Sequence, residues 1–460
     1  MLIDYATILA YALAMAGLGW WGMRRARTRD DFLLAGRRLG PTLYLGTLSA
    51  VVLGGASTIG SVRLGYQYGI SGLWLVLMLG LGVMTLSLAF SRQIARMRVF
   101  TVTQILEQRY RASSRLIGGV VMIGYDLMVA VTATIAIGSV TEVMFGLPRI
   151  PAILLGGGLV IFYSAIGGMW SLTLTDIVQF VIMTVGIFGV LLPLSVAGAG
   201  GLDAMRAGLP ASFFELGAIG LDTIVAYFLL YFFGALIGQD IWQRLFTARS
   251  ERVVRYAGLA AGGYCVCYGA ACALIGVAAR RLLPELAVTE NAFAELTRSL
   301  LPAGLRGLVA AAALAAIMST ASACLLAAAT VLKEDVYSRF LRRGDQRHLA
   351  GSRWITLGLG LLMLLLSCLV NDVIAGLSIA YNLLVGGLLV PILGALLWRR
   401  ASAQGAMAGM LLGSLTVVAL MMLDGLTANT PIYYGLAANL LGFVGVSLMT
   451  APAPSLSASK

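Results

Sequence analysis

From residue 4 to residue 450 the chain is a near-continuous succession of apolar runs, each long enough to cross a hydrocarbon core of ~30 Å. Divided at charged residues or at Gly and Pro, they number about thirteen: 4–23, 41–66, 72–95, 116–143, 150–168, 175–198, 221–239, 254–279, 303–332, 353–371, 373–398, 404–423 and 432–450. Backbone polar groups in hydrocarbon must be satisfied inside helices or closed barrels, and runs of this length are helical. They predict an all-α integral membrane protein. Only 11% of the 460 residues are charged and 60% are hydrophobic, whereas soluble domains carry roughly 25% charged residues. The same numbers exclude disorder. One histidine, His348, puts chemistry that needs several histidines out of reach.

The basic residues give the expected orientation. Arg24, Arg25, Arg27, Arg29, Arg37 and Arg38 follow span one, and Arg92, Arg96, Arg98, Arg109, Arg111 and Arg115 follow span three. Arg244, Arg249, Arg252 and Arg255, then Lys333, Arg339, Arg342, Arg343, Arg347 and Arg353, then Arg399 and Arg400 fall on later alternate loops. Under the positive-inside rule this predicts an inner-membrane protein with its N-terminus outside and its C-terminus cytoplasmic. The formal charge of +12 is therefore read as topology, with no nucleic-acid partner. No small-residue cleavage site precedes Arg24-Arg25, so span one is expected to be a retained helix. On the face opposite the basic loops, Thr289-Glu290 followed by Phe293, Leu296 and Leu300 predicts a capped amphipathic helix acting as a lid. The five cysteines (Cys265, Cys267, Cys272, Cys324 and Cys368) lie in apolar runs without partnered spacing and read as core residues.

Function is expected where a span is interrupted, since irregular backbone at membrane depth is tolerated only around a cavity or within protein. Span two carries Gly54-Gly55-Ala56-Ser57-Thr58-Ile59-Gly60-Ser61, and span seven carries Gly234 and Gly238 before Gln239-Asp240. Five spans separate the two breaks. Spans two to six and seven to eleven would then form a 5+5 inverted repeat with the binding site between the halves. Span nine adds Ala316-Ile317-Met318-Ser319-Thr320-Ala321-Ser322. Two hydroxyls there, together with carbonyls freed at the break in span two, could coordinate a small hard cation without a carboxylate. Close helix packing by small residues accounts for the same pattern.

Several stretches, taken in order, resemble the sodium:solute symporter family, whose inverted-repeat fold is called LeuT-type. They are Asp31-Phe32-Leu33-Leu34-Ala35-Gly36-Arg37, Thr101 to Tyr110, Gly167-Gly168 with Thr175-Asp176 and Gln179, Gln239 to Arg244, and Ala316 to Thr320 with Asp335-Val336-Tyr337. The proline and pantothenate permease branch is the most similar. The resemblance implies a sodium site at Ala56, Ile59, Ala316, Ser319 and Thr320. It also suggests a second sodium between Asp176 and Ser322, although Ala323 stands where relatives carry a second serine.

Two departures bear on the solute: Thr58 replaces the acid of proline permeases, and Arg63 replaces a small residue. Arg63 either grips a solute carboxylate, pairs with Asp126 in span four, or snorkels to the surface. Tyr231 and Gln239 on span seven are further solute candidates. The expected layout is 1–40 for the first helix and loop, 41–198 and 221–424 for the two repeats, and 430–460 for the last helix and tail. The expected activity is sodium-coupled import of a small organic solute by a monomer in the lipid bilayer, without a cofactor. Proton coupling is the closer alternative. A sensor would need a signalling domain that 451–460 leaves no room for, and no catalytic constellation suggests an enzyme.

Overall fold

The computed structural model describes residues 2–97, 99–341, 349–369 and 373–453. His348, Arg98, Arg342, Arg343 and Arg347 lie outside the described residues, as does most of the tail. The first pass is α1 (Leu2–Arg25), followed by the short α2 (Arg29–Leu34). Span two is split into α3 (Pro41–Val52) and α4 (Ser61–Tyr68), joined through a wide helical turn at Ala56–Gly60. Next come α5 (Trp74–Ala89), the short α6 (Ser91–Arg96) and α7 (Thr103–Arg109), then α8 (Ala112–Phe145) and α9 (Arg149–Thr184). Beyond them lie α10 (Leu192–Gly198) and α11 (Gly201–Gly208). Span seven is α12 (Leu221–Tyr227), α13 (Phe233–Ile237) and α14 (Gln239–Leu245). The remaining helices are α15 (Gly258–Leu282), α16 (Ala292–Leu300), α17 (Leu305–Val331), α18 (Leu349–Leu369), α19 (Val373–Leu397), α20 (Ala403–Asp424) and α21 (Thr430–Met449).

Ten of the described helices are long and apolar enough to span a membrane, or eleven when the segments bent by 43° at Gly238 count as one span. The thirteen sequence runs do not all appear as separate helices, because helical backbone continues through Ala56–Ala89 and through Arg149–Gly198. The second of these stretches nevertheless doubles back. Tyr163 donates to the Met318 carbonyl in mid-helix, and Ser171 then donates to Gly19 near the Arg25 end of α1. Gln179 next reaches Tyr11, and Gly186 packs against Ala312. The reversal sits at Gly168, whose φ of 53° and ψ of −140° suit a residue without Cβ. A Cβ there would also lie 2.3 Å from the Phe32 carbonyl.

Helix α17 is the axis of the molecule: every residue from Val309 to Val331 is buried. Its run of Ala, Ser, Thr and Cys lets α8, α9, α1, α18 and α3 approach closely, as small residues do in membrane bundles. At its basic end the chain continues into Leu332–Leu341, where Asp335 is fully buried. Arg115 of α8 bridges Asp335 at 2.7 Å and Glu107 at 2.6 Å. Hydroxyls of Thr101 and Thr103 also donate to Asp335, while Arg29 pairs with Glu334. Arg115, counted from sequence among the orienting charges, is thus also a buried structural bridge.

Removing one partner of a buried pair leaves the other charge uncompensated, which costs about 3–5 kcal/mol. Arg115→Ala should therefore lower thermal stability in detergent by about 3 kcal/mol or more. Arg38 is 68% exposed beside Asp31, and Arg38→Ala should cost at most about 1 kcal/mol. Equal losses in the two melting curves would refute the clamp at Asp335.

Candidate functional site

Helix α3 ends at Val52 against α17, and the last carbonyls of any helix lack intrahelical partners. In hydrocarbon these groups need other donors. Ser319 donates to the Ala50 carbonyl at 2.8 Å and Thr320 to the Val51 carbonyl at 2.9 Å. Each hydroxyl also faces the Ala316 carbonyl, at 2.8 Å and 3.5 Å. Five oxygens thus converge where span two breaks. The approach depends on glycine: a Cβ on Gly54 would stand 2.6 Å from the Thr320 hydroxyl, and one on Gly55 2.9 Å from Ala136.

Ala316, Ser319 and Thr320 are therefore brought together as the sequence suggested. The carbonyls that meet the hydroxyls belong to Ala50 and Val51, before the break, whereas Ala56 and Ile59 belong to the wide turn after it. Ala56 still shares a cavity with Thr320, and Ile59 lines a neighbouring one. The first cavity is narrow, with a volume of about 30 Å³. Its wall is built from Val51, Val52 and Gly54 to Ser57 of the broken span, Leu79, Val129, Thr132, Ala133, Asp240, Ile241, Thr320, Leu377 and Tyr381.

The other sequence candidates fall in different places. Arg63 pairs with Glu290 at 2.7 Å, and neighbouring Gln67 donates to Thr289 at 2.9 Å. Arg63 therefore neither pairs with Asp126 nor stands free at the surface; it fastens α4 to the segment that leads into α16. Phe293 and Leu296 of α16 are fully buried, so this amphipathic segment is docked. Asp126 is also fully buried, and neither carboxylate oxygen has a hydrogen-bond partner among the described residues. Gln239 is held by the 100–102 backbone, accepting from Val102 N–H at 2.8 Å and donating to the Phe100 carbonyl at 3.0 Å. That satisfies its amide away from the cavity. Tyr231 packs edge-on against Tyr381, one ring behind the cavity wall. Thr58 is buried and 3.0 Å from the Tyr268 hydroxyl.

Asp176 is engaged by Thr47 and by Arg244, 3.5 Å away, and both members of the ion pair are fully buried. Ser322 donates back to the Ser319 carbonyl. Arg244 was grouped with the loop charges by its position in sequence, and its burial corrects that. Sequence reasoning missed Asp240 and Tyr381 as cavity residues. Asp240 did carry a signal, as an acid two residues beyond the helix-breaking Gly238.

A bundle with two glycine-broken spans facing one cavity is the architecture of a membrane transporter. The fold agrees with that of a Na+-coupled sialic acid symporter solved in a substrate-bound outward-open state (TM-score 0.85, 18% identity, covering 98% of this chain and 99% of that one). It agrees more distantly with the nucleobase-cation-symport-1 transporter Mhp1 (TM-score 0.54, 14% identity, 92% and 95% covered). The sequence profile of the sodium:solute symporter family matches residues 32–413, and the chain belongs to that family. It is 27% identical to a high-affinity proline transporter of Bacillus subtilis over 95% of this chain and 96% of that one. It is 28% identical to a sodium/pantothenate symporter of Escherichia coli, covering 91% and 90% of the two chains. These relatives are transporters, and this chain is a multi-pass membrane transport protein rather than an enzyme.

If close approach at the break is essential, Gly54→Ala should reduce transport at least about tenfold, since its Cβ overlaps Thr320. Gly124→Ala, with open space around its Cβ, should leave transport intact and add slight helix stability. Comparable uptake by the two variants would show that the break tolerates side chains. The Arg63–Glu290 contact predicts that Arg63→Glu impairs uptake and that the double exchange with Glu290→Arg restores it. A double variant no better than the single one would rule out the pair as a functional link.

Proposed function

We propose that the protein is a secondary active symporter that couples inward sodium flow to uptake of a small organic solute by alternating access. The observation that carries this reading is the group of five oxygens from Ala50, Val51, Ala316, Ser319 and Thr320. Uncharged oxygens suit a small hard cation. Sodium, as a transported substrate, would replace the hydroxyl hydrogen bonds by ligation and tie α17 to the broken span. Family resemblance adds the Ala56 and Ile59 carbonyls to the candidate ligands, within reach if the wide turn shifts during transport. Binding that stabilises one conformation over the other is what couples ion to solute.

We infer a single sodium. Asp176, the acid of the possible second site, is already balanced by Arg244, so it does not call for another cation. The proposed orientation keeps the N-terminus outside and the basic loops cytoplasmic in the inner membrane, with one chain as the working unit. The Arg63 region then lies toward the outside. Because Glu290 holds Arg63, capture of a solute carboxylate there would require that pair to open.

The driving force is adequate. One charge crossing 100 mV supplies ~2.3 kcal/mol, and a tenfold sodium gradient adds ~1.4 kcal/mol. For a neutral solute these permit accumulation of roughly several hundredfold.

The test is uptake into proteoliposomes under an imposed sodium gradient, with proline, pantothenate and sialic acid as first probes. Ser319→Ala and Thr320→Ala should each raise the sodium concentration for half-maximal uptake by about tenfold or more, the effect of losing one charge-assisted ligand. Uptake that needs no sodium and is unchanged in both variants refutes the assignment. Uptake driven by a pH jump in sodium-free buffer would establish proton coupling instead.

A further inference from the structure

We propose that the cavity at the break takes the ammonium group of an organic solute, with the Asp240 carboxylate as its counter-ion and Asp126 reinforcing it from behind. The proposal rests on the symport reading and names the class of solute. Asp240 stands in the cavity wall and is 4% exposed. Its side-chain hydrogen-bond partners are neutral, the Tyr125 hydroxyl at 3.2 Å and the Cys324 thiol at 3.8 Å, with the Arg244 charge nearby. Asp126 sits one helical turn before Val129, on the face of α8 that lines the cavity. It is fully buried with both oxygens unpartnered among the described residues, and its charged neighbours are Asp240 and, more weakly, Arg244.

Two carboxyl groups held together away from water either keep a proton or draw a compensating cation. Arg244 lies near both acids but forms an ion pair with neither. Arg244 is engaged by Asp176, and Arg63 by Glu290 in the neighbouring cavity. Among the described residues, no Lys or Arg forms an ion pair with Asp126 or Asp240. With Arg244 already in contact with Asp176, a cationic ligand would supply the compensation that the chain provides only in part.

The rest of the wall indicates what kind. A bare metal ion wants a shell of oxygens, and that chemistry lies at Ser319 and Thr320. Beside Asp240 the cavity wall offers Leu79, Val129, Leu377 and the Tyr381 ring, with the hydroxyls of Ser57, Thr132 and Thr320. Tyr381 is held edge-on by Tyr125 at 5.3 Å and by Tyr231 at 5.1 Å. A carboxylate facing alkyl groups and a fixed aromatic ring matches an ammonium with hydrocarbon substituents, which gains ion-pair and cation–π attraction together. A solute with net negative charge would meet two acids, and the pair excludes it.

The test uses the full-length purified protein and thermal-shift binding, with and without sodium. The probes are choline and pyrrolidine (charged at neutral pH), proline, the uncharged isosteres 3,3-dimethylbutanol and cyclopentanol, and cyclopentanecarboxylate. Choline, pyrrolidine or proline should stabilise the protein, while the neutral isosteres and the carboxylate should not. Asp240→Asn and Asp126→Asn should each weaken ammonium binding at least about tenfold, and Asp240→Glu should restore part of it. The Glu variant keeps the test decisive if an Asn variant fails to fold.

Lack of stabilisation by every ammonium probe, equal binding of the isosteres, or unchanged affinity in the foldable variants overturns the proposal. So does a result in which both Asn variants only remove a pH dependence of uptake, which makes the pair a proton site. Stabilisation by ammonium probes that sodium does not enhance supports the pocket and defeats the coupling. Stabilisation by sodium without any ammonium effect does the reverse.

Discussion

The structure turns on the carbonyls left open where span two stops. A helix that ends in mid-membrane exposes acceptors that water cannot reach, and each costs free energy unless a donor is supplied. Ser319 and Thr320 supply two donors from a different helix, so the end of α3 is secured by α17 rather than by its own chain. The constraint propagates outward. Gly54 must lack a side chain for Thr320 to arrive, and α17 must be made of small residues for α8 and α9 to pack around it. Under the proposed sodium coupling, the same hydroxyls that satisfy the backbone would release it when a cation takes their place. One arrangement would then provide both a stable resting state and the means to leave it.

Charge is rare in the spans, and most of it is held in matched pairs. Arg244 with Asp176, Arg115 with Asp335, and Arg306 with Asp4 each join segments distant in sequence. The first two pairs lie on segments that carry the family-like motifs, Thr175-Asp176, Trp242-Gln243-Arg244 and Asp335-Val336-Tyr337. In this fold those motifs act chiefly as clamps. Gln239 belongs with them, since its amide holds the 100–102 backbone to the start of α14.

The pattern of legibility from sequence follows from these physics. Helix-length apolar runs and the glycine breaks at 54–55 and 238 depend on local backbone chemistry, and they appear in the structure where the chain indicated them. The doubling back at Gly168 was legible only as a gap between two runs, because helical backbone continues on both sides of a single unusual residue. Partners of buried charges were not legible. Arg63 could be placed at membrane depth, but its distance from Glu290, 227 positions along the chain, is a property of packing. The hydroxyls at Ser319 and Thr320 were identified as a pair. The carbonyls they meet were placed several residues too late along span two, because the position of a break within a glycine-rich stretch is set by what packs against it.

The contrast between Arg63 and Asp240 shows what position in sequence leaves out. Both are charged residues next to a glycine break, and sequence made the arginine the more prominent because it departs from the small residue of relatives and an arginine at membrane depth needs a partner. In the structure the arginine has a carboxylate 2.7 Å away, whereas the aspartate has neutral donors and a second acid for company. A charge whose partner is already in the protein contributes to holding elements together. A charge without an ion pair, in the wall of a cavity, is free to engage something from outside. Under the proposed ammonium site, the character of the cavity is read from the two acids that Arg244, already in contact with Asp176, only partly offsets.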